Sequence, residues 1–237
     1  MDEAPTVATV EGRFNGPRGS GNGGYSGGLF AAPLGSAAAE VSLRSPVPLD
    51  EPLMLERQDD GSVQAVHGGN LIGEAHALDG LDLSLPDPVG LEEARAASER
   101  YRAPADGVFS HCFVCGRARE DGFGVFAGPV EGRELAASTW APLPWTAGSD
   151  GSVRPEFVWA TLDCPTYFAS HLSGELTLSV LVRQRTELHA PVPASGEHVV
   201  VAWPIEAEGR KRLAGAAVLG ADGALLATTE ILLVEPR

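Results

Sequence analysis

The order of elements in this chain repeats, and that repetition limits the fold more than any single residue does. Residues 6–14, "TVATVEGRF", are a short alternating run, followed by a glycine-rich loop, "NGPRGSGNGG", and by "YSGGLFAAPL", whose Leu29, Phe30 and Leu34 predict a short helix beginning near Gly24. Strand-like runs come next: "AAEVSLRS", "EPLMLERQ", "SVQAVHGG" and "NLIGEAHAL". Pro46, Pro48 and Asp60-Gly61 punctuate them, the last pair favouring a tight hairpin. The second part runs through the same order. "GFGVFAGPVEGRELAASTWAPL" reads as a hairpin turning near Gly132, and "PEFVWATLDCPTYFASHL" as a helix with Pro155 in its first turn, where a missing donor costs nothing. The strands "ELTLSVLVRQRTEL", "EHVVVAWPIEAEG", "RLAGAAVLG" and "ALLATTEILLVE" follow, the last two joined through Ala221-Asp222-Gly223. Even a connection recurs, as "SPVPLDEP" at 45–52 and "APVPASGE" at 190–197. A duplicated α+β unit is the simplest account, with residues 1–78 as the first repeat, 79–108 as a connector carrying the short charged helix "GLEEARAASERYR", and 109–237 as the second repeat.

With 237 residues, 43% of them hydrophobic, the chain is long enough to bury a real core. Its formal net charge of −15 argues against nonspecific binding to nucleic acid or to an anionic membrane, because both need a basic field; a small molecule or a protein is the expected partner. The apolar runs are too short for a membrane span, and the start "MDEAPTVATVEG" is acidic where a signal peptide is basic, so the expected location is the cytoplasm. Three cysteines do not make a disulfide framework, which agrees with a reducing compartment.

Within "WATLDCPTYF" (159–168) one carboxylate, Asp163, stands in an apolar and aromatic run. Burying it requires a partner or a task. Three roles are open: a general base; a cap, since Pro165 has no N–H for the carbonyl of Thr161 and the helix is free to break there; or a buried aspartate satisfied by a strand side chain. "HCFVCG" places Cys112 and Cys115 at C-x-x-C spacing, with His111, Cys164 and His171 as the remaining candidate ligands. There is no second C-x-x-C, so the expectation is no metal and no cofactor, and small apolar packing residues instead; Cys164 as a nucleophile is a lesser alternative. "EGRKRLAG" (208–215) is the only basic cluster, most simply a solvated hairpin turn. His67 and His76 read as surface or satisfied core residues.

Three segments carry a resemblance. "GNGGYSGGLFAA" (21–32) is similar to the Gly-Gly helix start of the first repeat of double hot dog proteins, and "HCFVCGRAREDGFGVF" (111–126) and "VWATLDCPTYFA" (158–169) are similar to motifs of thioesterase-like hot dog proteins. With the matching element order, the chain resembles the acyl-CoA thioesterases built as tandem hot dogs, each repeat one helix wrapped by an antiparallel sheet. The resemblance implies a hydrolase acting on an acyl-CoA or acyl-carrier thioester, working as a homodimer. In that family a helical aspartate orients the attacking water with a threonine and a glutamine. Asp163 falls at the aspartate, while the threonine position falls near Leu181 and the glutamine near Ile231; Thr228, Thr229, Glu230 and Gln184 are the nearby substitutes.

Thioester hydrolysis needs donors for an oxyanion and a group that delivers water. The free N–H groups of a helix start at Gly23 and Gly24 fit the first need, and Asp163 the second. The alternative for the glycines is a tight turn that lets the helix pack on its sheet. Since the first helix has no carboxylate, one working site is expected, joining that helix start to Asp163. Asn22 and, less so, Asn15 are added polar contacts. Tyr25, Trp159 and Tyr167 are candidate substrate contacts, and Arg183 and Arg185, with Arg210, Lys211 and Arg212, candidate partners for coenzyme A phosphates. Two other functions remain open: a noncatalytic acyl-thioester binder, and a hot dog hydratase or dehydratase.

Overall fold

The structure is a computed structural model that describes residues 6–103 and 107–236, so the acidic first residues of the chain and residues 104–106 of the connector lie outside it. Its elements are β1 (Thr6–Thr9), α1 (Gly23–Ala31), β2 (Ala38–Leu43), β3 (Pro52–Arg57), β4 (Val63–His67), β5 (Asn70–Leu78), α2 (Leu91–Glu99), β6 (Gly128–Pro129), β7 (Ala136–Trp140), α3 (Pro155–Ala169), β8 (Val180–Leu188), β9 (His198–Glu208), β10 (Lys211–Leu219) and β11 (Leu225–Val234). All strands join one 11-stranded sheet in the order β1-β3-β4-β5-β2-β8-β11-β10-β9-β7-β6. Hairpins set most of this order: β3 and β4 turn at Gly61 and β10 and β11 at Gly223, both with positive φ, the conformation glycine adopts without strain.

The two halves lay down their strands identically. Outwards from the centre the first reads β2, β5, β4, β3, β1 and the second β8, β11, β10, β9, β7, with the short β6 at the edge. In each half the strand after the helix is therefore innermost, and the strand before it lies outermost but for the short β6 in the second half. Strands β2 and β8 pair antiparallel, Val41 opposite Gln184, which fuses the halves into one sheet.

Helices α1 and α3 lie against each other on one face of this sheet, with Phe30, Phe157, Leu162 and Ile231 among the fully buried side chains between layers. Rings of Phe14, Tyr25, Phe113 and Phe157 cluster beside them, Phe14 and Tyr25 stacked at 4.4 Å. Helix α2 covers the opposite face, where Ala94 and Ala97 pack with Val199, Val201 and Trp203. Val200 and Ala202, alternating with these, point to the α3 side. Strand β9 is thus buried on both faces, which is why "VVVAW" is an unbroken apolar run.

The glycines of α1 serve helix–helix contact. A Cβ on Gly24 would stand 2.6 Å from the carbonyl oxygen of Trp159, and one on Gly28 2.5 Å from Cα of Glu156. The two backbones therefore touch where any side chain would part them. Gly28→Ala is expected to cost about 1–3 kcal/mol, the usual toll of overpacking, read as a lower denaturant midpoint; an unchanged midpoint would mean that the helices have room to separate. Pro155 begins α3, and α3 runs on through Pro165 to Ala169. Pro165 therefore does not end the helix.

Candidate active site

The start of α1 meets the middle of α3. Asn22 is the N-cap of α1, and its Oδ1 accepts the N–H of Tyr25 at 2.9 Å. That fixes the amide so that Nδ2 donates to Asp163 Oδ2 at 3.1 Å. The same oxygen accepts the N–H of Gly24 at 3.0 Å. Asp163 is thus held by the other repeat's helix, neither capping its own helix nor paired with a strand. Among the described residues no donor reaches Oδ1. Burial pushes the Asp163 carboxyl up to about 7, against the opposing pull of the Gly24 and Asn22 hydrogen bonds.

Asp163 lines a cavity of about 470 Å³ whose wall also includes Asn22 and Gly23, Cys112, Cys115, Cys164 and Tyr167, with the end of β2 and the start of β8 opposite. Gly23 is the first residue of α1, so its N–H has no acceptor within the helix, and none is found for it elsewhere among the described residues. The expected pair of oxyanion donors is therefore reduced to one. Gly24 gives its N–H to Asp163, and Gly23 alone keeps a donor for a ligand.

Several sequence-predicted contacts lie elsewhere. Tyr25 is held in the aromatic cluster, and the Trp159 ring packs over Gly27; neither borders the cavity. Tyr167 does. Arg183 and Arg185 form ion pairs with Glu40 and Glu230 on neighbouring strands, since β8 sits between β2 and β11 and their side chains meet those carboxylates across the ladders. Arg210 and Arg212 bond to Glu235, keeping "EGRKR" a hairpin turn. Asn15 ties the loop to His111 and Arg119. The cations that do border the cavity are Arg18, exposed and without a partner among the described residues, and Arg44, paired with Glu74.

The substitutes for the missing threonine and glutamine are also engaged. Gln184 donates to the carbonyl of Trp159, Thr186 bonds Thr229, Thr228 bonds His189, and Glu230 pairs with the arginines; none of these reaches the cavity. Leu181 lies against Gly23 in the cavity wall, and Ile231 is fully buried. Sequence reasoning missed Ser179, a buried hydroxyl on the cavity with no partner among the described residues. Its place in the run "LTLSVLV" gave no sign that it would face a cavity.

The three thiols are buried and free. Cys112 is pulled below the usual thiol range by hydrogen bonds from Cys115 and Cys164, which are pushed up in turn. Among the described residues the pseudo-equivalent positions do not repeat this arrangement. Asp163 is the ninth residue of α3 where α1 has Ala31, and Gly23 begins α1 where α3 begins with Pro155, which has no N–H.

No family model matches the sequence, and no match is found among curated protein sequences. Solved structures do match over the whole chain. A conserved protein of unknown function with a hot dog fold from Alicyclobacillus acidocaldarius superposes with a TM-score of 0.64 at 15% identity, covering 100% of this chain and 95% of the other. The TesB protein of Mycobacterium avium subsp. paratuberculosis superposes at 0.62 and 14% identity, covering 99% and 94%. The chain has the tandem hot dog fold. In this tandem hot dog the cavity is lined by the start of α1 from the first repeat and by the Asp163 carboxylate from the second. No helix among the described residues is long and apolar enough to cross a membrane.

Proposed function

We propose that the chain hydrolyses an acyl thioester carried by coenzyme A or an acyl-carrier protein, at the cavity between the repeats. One observation carries this: a buried carboxylate with Oδ2 pinned by Gly24 and Asn22 and Oδ1 left without a protein donor, on a cavity wall beside the unpartnered N–H of Gly23. In this reading a water held by Asp163 Oδ1 attacks the thioester carbonyl carbon, giving its proton to the carboxylate. The oxyanion takes the Gly23 N–H, at the positive end of α1. Collapse of the intermediate breaks the C–S bond, and the leaving sulfur takes the proton from Asp163. Tyr167, Leu181 and Phe168 supply apolar wall for the acyl chain, and the Ser179 hydroxyl is the polar group available to share the water.

Arg18 stands at the cavity without a carboxylate partner among the described residues and suits a phosphate of the carrier. Arg18→Ala is expected to raise KM for acyl-CoA severalfold with kcat unchanged, the pattern of lost uniform binding. An unchanged KM would place the phosphates elsewhere. A panel of acyl-CoA substrates with thiol detection tests the activity itself. Leu181 and Ile231, where the family has polar residues, favour a second reading as a noncatalytic acyl-thioester binder. Tight binding without turnover at any chain length would select it.

A further inference from the structure

Three sulfurs converge on one wall of the cavity. Cys112 and Cys115 come from the loop that enters the second repeat and Cys164 from α3. All three Sγ atoms lie within 4.8 Å of one another, those of Cys112 and Cys164 only 3.6 Å apart. Tetrahedral zinc with Zn–S bonds of about 2.3 Å holds its sulfurs about 3.8 Å apart, so closing these three on one ion needs shifts of about 1 Å. The C-x-x-C spacing alone offers too few ligands; the fold brings the third from a helix 52 positions away.

The loop is built tightly around the first sulfur. The N–H of Gly116 bonds the Cys112 carbonyl at 2.8 Å, and a Cβ on Gly116 would stand 2.4 Å from the carbonyl oxygen of Ser110. Asn22 adds a side-chain donor, its Nδ2 standing 3.9 Å from Cys112 Sγ and 4.0 Å from Cys164 Sγ. Thiols that only fill space need no common focus, no directed donors and no place on a cavity wall.

We propose that Cys112, Cys115 and Cys164 bind a thiophilic d10 cation, Zn²⁺ in the first instance, with the fourth coordination position facing the cavity. Three S–H protons pass to solvent as three metal–sulfur bonds form, with no change of oxidation state. Three protein ligands and one open position is the pattern of zinc sites that take an exogenous ligand.

The site is independent of hydrolysis and is tested without it. Reduced, chelator-stripped protein is titrated with Cd²⁺ while the ultraviolet thiolate-to-metal charge-transfer band is followed. The expected result is saturation at one equivalent, reversed by excess chelator, with saturation lost in Cys112→Ser, Cys115→Ser and Cys164→Ser. Asp163→Asn is expected to keep it, so a failed hydrolase leaves this result readable. Where a serine variant does not fold, thiol counting on the wild type decides: one Zn²⁺ shields three thiols from a disulfide reagent. No band at one equivalent in the reduced wild type, equal bands in folded serine variants, or unshielded thiols would each overturn the proposal.

Discussion

On the proposed hydrolysis, Asp163→Asn is expected to yield a folded protein whose kcat for an acyl thioester is about 10²- to 10⁴-fold below wild type, with KM little changed. The substitution is nearly isosteric. Its amide oxygen still accepts from Gly24 and Asn22, at the positions now 3.0 and 3.1 Å away, so the junction of the helices persists. What disappears is the acceptor that takes a proton from water. Because an amide is cheaper to bury than a carboxylate, thermal stability is expected to hold or rise. Steady-state kinetics with a thermal melt on the same preparation distinguish the outcomes. Full activity in the variant would remove Asp163 from the chemistry and leave it as a pin between repeats.

Asn22→Ala is expected to lose on both counts. Removing the N-cap of α1 costs about 1 kcal/mol. Asp163 also loses one of the two donors on Oδ2, and a buried carboxylate left short of partners adds a comparable or larger penalty. With the carboxylate free to swing, misplacement of the water is expected to lower kcat by about 10²-fold. Chemical denaturation measures the first effect and initial rates the second. A variant that is destabilised yet turns over at the wild-type rate would show that Gly24 alone positions Asp163. Asn22→Ser, which keeps a capping oxygen but not the second donor, separates the two contributions.

Much of the fold is legible because its signals are local. Asp60-Gly61 and Ala221-Asp222-Gly223 lie at the hairpin turns of β3–β4 and β10–β11, and Pro155 begins α3. The residues of the candidate site were half legible for the same reason. An isolated carboxylate in an apolar helix marks Asp163, and a glycine-rich loop ahead of a helix marks Gly23. Their junction is not local: Asn22 and Asp163 are 141 positions apart, and nothing in either segment says that Gly24 spends its N–H on the carboxylate. Arg183 and Arg185 misled because free cations and ladder-paired cations look alike in a strand, and only the β2–β8–β11 order supplies Glu40 and Glu230. Cys164 was one of three candidates, with His111 and His171, for a further ligand beside the C-x-x-C pair, and only the fold selects it.

The four glycines of α1 tie the assembly of the candidate site to the docking of one helix on the other. A nine-residue helix containing Gly23, Gly24, Gly27 and Gly28 gives up roughly 4 kcal/mol of intrinsic helix propensity relative to alanine, so it has little tendency to form by itself. It becomes a helix by docking on the backbone of α3, which belongs to the other repeat and is buried along nearly all its length. The Gly23 donor and the pinned carboxylate therefore come into being together, after both repeats have closed. A half-folded chain, in which α1 has not docked on α3, has neither.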